Sequence, residues 1–126
     1  MKRCAAILAI ILVPFFPLQA KATVADGTVI GREVMAPLAA WVERATHTHM
    51  VALPLVTASD RLLKSSLGLE GVQQARSRAA YLPGRIIISN FVWDEESLRS
   101  KSYLVHEMVH HAQLLSGKKY PCNNAK

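Results

Sequence analysis

The stretch Tyr103-Leu104-Val105-His106-Glu107-Met108-Val109-His110-His111 puts two histidines four positions apart, with a glutamate directly after the first. On a helix turning about 100° per residue, His106 and His110 differ by about 40° in direction and one turn in height. Both imidazoles can then reach one ion from the same side, and imidazole nitrogen is a ligand that tetrahedral Zn2+ accepts. Glu107 points about 100° round from His106, near such an ion without binding it. A carboxylate there can take a proton from an activated water and return it to a leaving amine. Residue types and spacing predict a metal site with His106 and His110 as ligands, Zn2+ as cofactor and Glu107 as catalytic base.

These side chains need a helix whose other side is buried. Leu104, Val105, Met108, Ala112 and Leu115 cluster roughly 160–260° from His106, so a core face and a metal face separate. Asp94 or Ser97 can cap the start, with Glu95 and Glu96 in the first turn and Gly117, Lys118 and Lys119 as the stop near Ser116. Upstream, Ala79–Leu82 and Arg85–Ser89 flank Pro83-Gly84 and read as a hairpin. Apolar residues Val34, Leu38, Trp41, Val42 and Ala45 predict a helix from Gly31 to about Thr46. Residues Met50 to Ala58 are β-rich but broken by Pro54, which predicts a short strand or an edge segment. Ser59 can cap a short helix over Asp60 to Leu67, with Gly68 as its left-handed stop. The expected architecture is α+β, a small antiparallel sheet or hairpin packed on the helix that carries the histidines.

The chain has 126 residues, enough for one ordinary domain. Met1, Lys2 and Arg3 give a positive start, Ala5 to Leu18 runs without charge, and Ala20-Lys21-Ala22 has the small residues of a cleavage site. Residues 1–22 therefore read as a signal peptide, too short and too proline-broken for a membrane span, and 23–126 as the domain. Export to a secreted or periplasmic location is expected, with no membrane association after cleavage. The formal charge of +6 includes Lys2, Arg3 and Lys21, so the domain itself carries +3. That small excess argues against a nucleic-acid partner. Cys4 lies in the leader as a small apolar residue, which leaves Cys122 alone in an exported chain, where a disulfide partner is expected.

Over about Ala79 to Cys122 the chain resembles the zincin metallopeptidases of the gluzincin type. It looks like small exported bacterial families with an "LVHEMVHHAQ" helix after a "GRIIIS" strand. The resemblance implies zinc ligation by His106 and His110, general base action by Glu107, and a peptide or protein substrate. It also implies an edge strand beside the active helix, here Arg85 to Ser89, that pairs with an extended substrate. The departures concern the third protein ligand that catalytic zinc requires. Gln113 and Ser116 stand where the metzincin variant has its glycine and third histidine, which excludes that variant. The gluzincin variant takes a glutamate from a later helix, yet no Asp or Glu follows His110. His111 points about 140° from His106 and is expected behind a ligand or on the surface. The expectation that joins these gaps is a domain incomplete at its C-terminus, whose missing helix would hold the third ligand and a mate for Cys122.

Other residues have simpler expected roles. His47 and His49 alternate as strand ligands could, but also fit the C-terminal end of the first helix. Asp60, Glu70, Asp94, Glu95 and Glu96 are formal third ligands that read better as caps or solvated charges. Trp41 and Trp93 suit core or rim packing, and Arg76, Arg78 and Arg85 a solvated face. The resulting expectation is an exported zinc-dependent peptidase, impaired if the third ligand is lost. The alternative is a non-catalytic exported protein that binds zinc or an extended peptide.

Overall fold

The computed structural model describes residues 23–71 and 77–117. The expected signal peptide, Arg76, Lys118, Lys119 and Cys122 lie outside the described residues. The order is β1 (Thr28–Val29), α1 (Arg32–Thr46), β2 (Leu55–Ala58), α2 (Asp60–Ser66), β3 (Ala79–Leu82), β4 (Arg85–Ile88) and α3 (Leu98–Leu115). The fold is α+β as expected, with three helices and a four-stranded sheet in the order β1-β2-β4-β3.

The sheet corrects the expectation of an antiparallel one. The β3–β4 hairpin is antiparallel, but β2 lies parallel to β4 with Leu55 opposite Arg85 and Ala58 opposite Ile88. The short β1 then adds antiparallel to β2, a strand no sequence signal announced. The short strand expected within Met50–Ala58 is present as β2, but this order removes the edge position considered for it and the edge position expected for Arg85–Ser89. Arg85–Ile88 is an inner strand, paired on both sides, and so is Leu55–Ala58. Among the described residues, β3 is the edge strand that flanks α3, with its open side bearing no partner strand.

Alternation along the strands sorts the core. Val56, Ala58, Ile86 and Ile88 join Met35, Ala39, Val42, Trp93, Leu104, Met108 and Ala112 in one buried cluster beneath α1 and α3. Ile87 and Leu63 are also fully buried but lie outside that cluster, which places α2 over the opposite face. Covered on both faces, β4 has no polar alternation, and this is why it reads as an unbroken isoleucine run.

The hairpin turn is set by Pro83, which fixes one backbone angle, and by Gly84 at φ 75°, where a side chain would be strained. Ser59 caps α2 by accepting from the Leu62 N–H at 3.1 Å, and Gly68 turns the chain left-handed after it. Of the two caps considered for α3, Ser97 holds the position and accepts from the Ser100 N–H. Asp94 instead closes a turn before the helix by accepting from the Glu96 N–H, so Glu95 and Glu96 precede the first turn rather than sit in it.

The buried face of α1 is also rotated from the expected one. Met35, Ala39 and Val42 are buried, whereas Trp41 is 53% exposed and Ala45 lies in solvent. Residues 34–42 are apolar almost all round the helix, so spacing alone does not select a face. Trp93 does enter the core. Among the described residues no helix is long and apolar enough to cross a membrane.

Candidate metal centre

Helix α3 carries the site. Leu104, Met108 and Ala112, at four-residue spacing, are wholly buried and hold the helix against the sheet and α1. Burial of Leu104 and Met108 contributes about 2 kcal/mol each, enough to fix which side of the helix faces out. Leu115, expected on the core face, is 40% exposed at the helix end. The outward side presents His106, Glu107 and His110 together, as the spacing predicted.

The histidine rings converge edge to face, with centroids 5.0 Å apart and planes at 84°. Their Nε2 atoms stand 3.3 Å from each other. Two nitrogens bound to one tetrahedral zinc at about 2.05 Å would stand roughly 3.3 Å apart. The pair therefore has the spacing that a shared zinc ion requires, and two imidazole nitrogens are donors that ion accepts. With no ion present, the same spacing lets one ring donate an N–H to the other.

The second ring is steadied from behind. His110 Nδ1 lies 3.1 Å from Gln113 Oε1. The Tyr81 ring lies over His110 at 6.4 Å with planes 28° apart. His106 is exposed.

Glu107 is half-buried between α3 and β3. Burial raises its carboxyl above the ordinary glutamate value, while His106, His110 and a hydrogen bond from the Tyr81 backbone N–H oppose the rise. That N–H is available because β3 is an edge. Ser89 N–H donates to the Arg78 carbonyl, so the backbone groups of Ala79 and Tyr81, one and three positions on, point away from β4. A carboxyl whose proton affinity is raised by burial is better suited to take up a proton than a solvated one.

His111 corrects the expectation of a surface or supporting position. It is 5% exposed and faces away from the pair. Its Nε2 donates to the Ala52 carbonyl at 2.9 Å, which leaves Nδ1 to accept from the Tyr81 hydroxyl at 3.1 Å. The same hydroxyl accepts from the Gly84 N–H at 3.3 Å. His111 is thus a satisfied core histidine that ties α3 to the hairpin and to the segment before β2.

Among the described residues no group of three His, Cys, Asp or Glu side chains could hold a metal, so none of the formal third ligands joins His106 and His110. Asp60 instead accepts from the Ser89 hydroxyl and pairs with Lys64 at 2.8 Å. His47 caps α1 with φ 53°, and His49 meets Glu43 at 2.9 Å, so this pair sits at a helix end as the simpler expectation held. Arg78 and Arg85 are exposed.

Sequence reasoning missed Tyr81, Gln113 and Ala52. Gln113 was findable, since three positions on from His110 is a neighbouring place on a helix. Tyr81 carried only the signal of an aromatic residue in a hairpin, and Ala52 acts through its backbone, which residue type does not report. A cavity of about 710 Å³ lies at the other end of α3, lined by Val34, Trp93, Glu96, Arg99 and Tyr103, and shares no residue with the histidine pair. No family model, curated protein or solved structure matches the chain.

Proposed function

We propose that the protein is an exported, zincin-like metallopeptidase, in which His106 and His110 hold Zn2+ and Glu107 is the general base. The observation that carries this reading is the 3.3 Å approach of the two Nε2 atoms beside a carboxylate held against a free strand edge. When bound, Zn2+ supplies Lewis acidity to a scissile carbonyl and lowers the pKa of water. Glu107 would accept a proton from the attacking water at its carboxylate and pass it to the leaving amine. The Tyr81 N–H orients the carboxylate for both transfers. The open side of β3, rather than Arg85–Ser89, is where an extended peptide would pair, beside the helix that bears the base.

Export rests on the three-part pattern of residues 1–22, with a secreted or periplasmic destination. A peptide or protein is the substrate class, and peptide hydrolysis by a Glu107→Gln variant tests it. This variant should bind zinc as tightly as the wild type and lose at least about 100-fold in peptide hydrolysis. Equal hydrolysis by both proteins would contradict the role of Glu107.

One observation favours a second reading, a non-catalytic exported protein that binds zinc or a peptide. Catalytic zinc takes three protein ligands, and among the described residues only two meet. On this reading neither protein hydrolyses peptides, and zinc still binds through His106 and His110.

A further inference from the structure

We infer that Gln113 is a positioning residue that presets His110 for a divalent cation by keeping the ring proton on Nδ1. The inference rests on the proposed metal site and adds to it the group that prepares one ligand before any ion arrives. Gln113 Oε1 is a carbonyl oxygen and can only accept, so the 3.1 Å contact assigns the proton to His110 Nδ1. In the neutral ring the lone pair then belongs to Nε2, the atom that faces His106 Nε2 at 3.3 Å. A free imidazole side chain in water favours the other tautomer, with the proton on Nε2, which would point a hydrogen where the ion must sit. The Gln113 amide reverses that preference, and the Tyr81 ring over His110 restricts rotation out of place.

The next residue shows how far local partners control this choice. His111 donates from Nε2 to a backbone carbonyl and accepts at Nδ1. Two adjacent rings on one helix therefore carry their protons on opposite nitrogens, each dictated by what the other nitrogen meets. A histidine ligand held through its second nitrogen is both oriented and made a better donor, and removal of such a support weakens metal affinity roughly 10–100-fold.

The test reads the proton and the metal separately. Long-range proton–nitrogen correlation in the metal-free, full-length protein should find His110 protonated on Nδ1, and Gln113→Leu should shift it towards Nε2 without changing the melting temperature. Competition titration with Zn2+ should then give about 10–100-fold weaker binding in Gln113→Leu, and binding at least as tight as wild type in Gln113→Glu. A proton on Nε2 of His110 in the wild type overturns the inference, because the amide must then be turned with its NH2 towards the ring. So does unchanged zinc affinity in Gln113→Leu. A wild type with Nδ1 protonated but no zinc affinity overturns the metal site itself, and with it any preset for a cation. The proton readout, taken without metal, tells these failures apart.

Discussion

His110 and His111 are neighbours in sequence, yet they belong to opposite kinds of surface. On the inner side of α3, His111 is buried and both of its nitrogens are engaged, one by the Ala52 carbonyl and one by the Tyr81 hydroxyl. On the outer side, His110 has its Nδ1 occupied by Gln113 and turns its Nε2 to the Nε2 of His106. The inner ring has spent its hydrogen-bonding capacity on the fold. The outer pair brings its two Nε2 atoms within 3.3 Å of each other, the spacing that two ligands of one tetrahedral ion would have. Burial together with full satisfaction marks a structural polar residue, and convergence of like groups marks a functional one.

The start of α2 resembles the inner side. Ser59 is wholly buried, donates to Asp26 at 2.7 Å and accepts from the Leu62 N–H. Asn90 accepts from the Asp60 N–H at 2.8 Å, and Ser89 donates to Asp60 at 3.0 Å. Among the described residues no buried side-chain polar atom lacks a partner. This cluster of acids and hydroxyls therefore holds β2, β4 and α2 together.

The largest effect on stability should come from His111→Ala, which removes a buried ring and its two part-buried hydrogen bonds and opens a cavity. A loss of about 3 kcal/mol is expected in urea denaturation, with zinc binding retained by the folded fraction. A loss under about 1 kcal/mol would break the contrast between the two sides. Ser59→Ala should cost about 1–2 kcal/mol, through the lost cap and the lost bond to Asp26, and leave zinc binding unchanged.

A smaller effect follows from acid. The Ser59 hydroxyl, aided by Arg61 and opposed by burial, holds the Asp26 carboxyl below the usual aspartate range. Its stabilisation is present above the unfolded carboxylate pKa and fades as pH falls through the lower folded value. Because Asp26 is 38% exposed, solvent screening keeps this below about 1 kcal/mol. Ser59→Ala should flatten that acid limb of a stability-against-pH curve, whereas an unchanged limb would remove Asp26 from the account. The smallest effect on stability belongs to His110→Ala, within about 0.5 kcal/mol of wild type in the absence of metal.

Legibility in the sequence followed how local the physics is. The Ser59 cap, the Gly68 stop, the Pro83-Gly84 turn and the four-residue spacing of His106 and His110 each act within a few residues, and each was readable. The pairing of β2 with β4 depends on segments about thirty positions apart. Nothing in Leu55–Ala58 announces a parallel neighbour. Pro54 suggested an edge, but it falls just before the strand and costs the ladder nothing. The exposed Trp41 shows the same limit, since which apolar face is buried depends on the partner helix. For His111 the helical angle turned the ring away from His106 and His110, as the structure has it. Only tertiary structure could show that a hydroxyl and a carbonyl were waiting there.

The most direct test of the central claim is zinc titration of the metal-free wild type beside His106→Ala/His110→Ala, each shown to be folded. One zinc per wild-type chain, with at least about 1,000-fold weaker binding in the double variant, is the expected result. Equal zinc binding by the two proteins, or none by the wild type, would contradict the assignment of His106 and His110 as metal ligands.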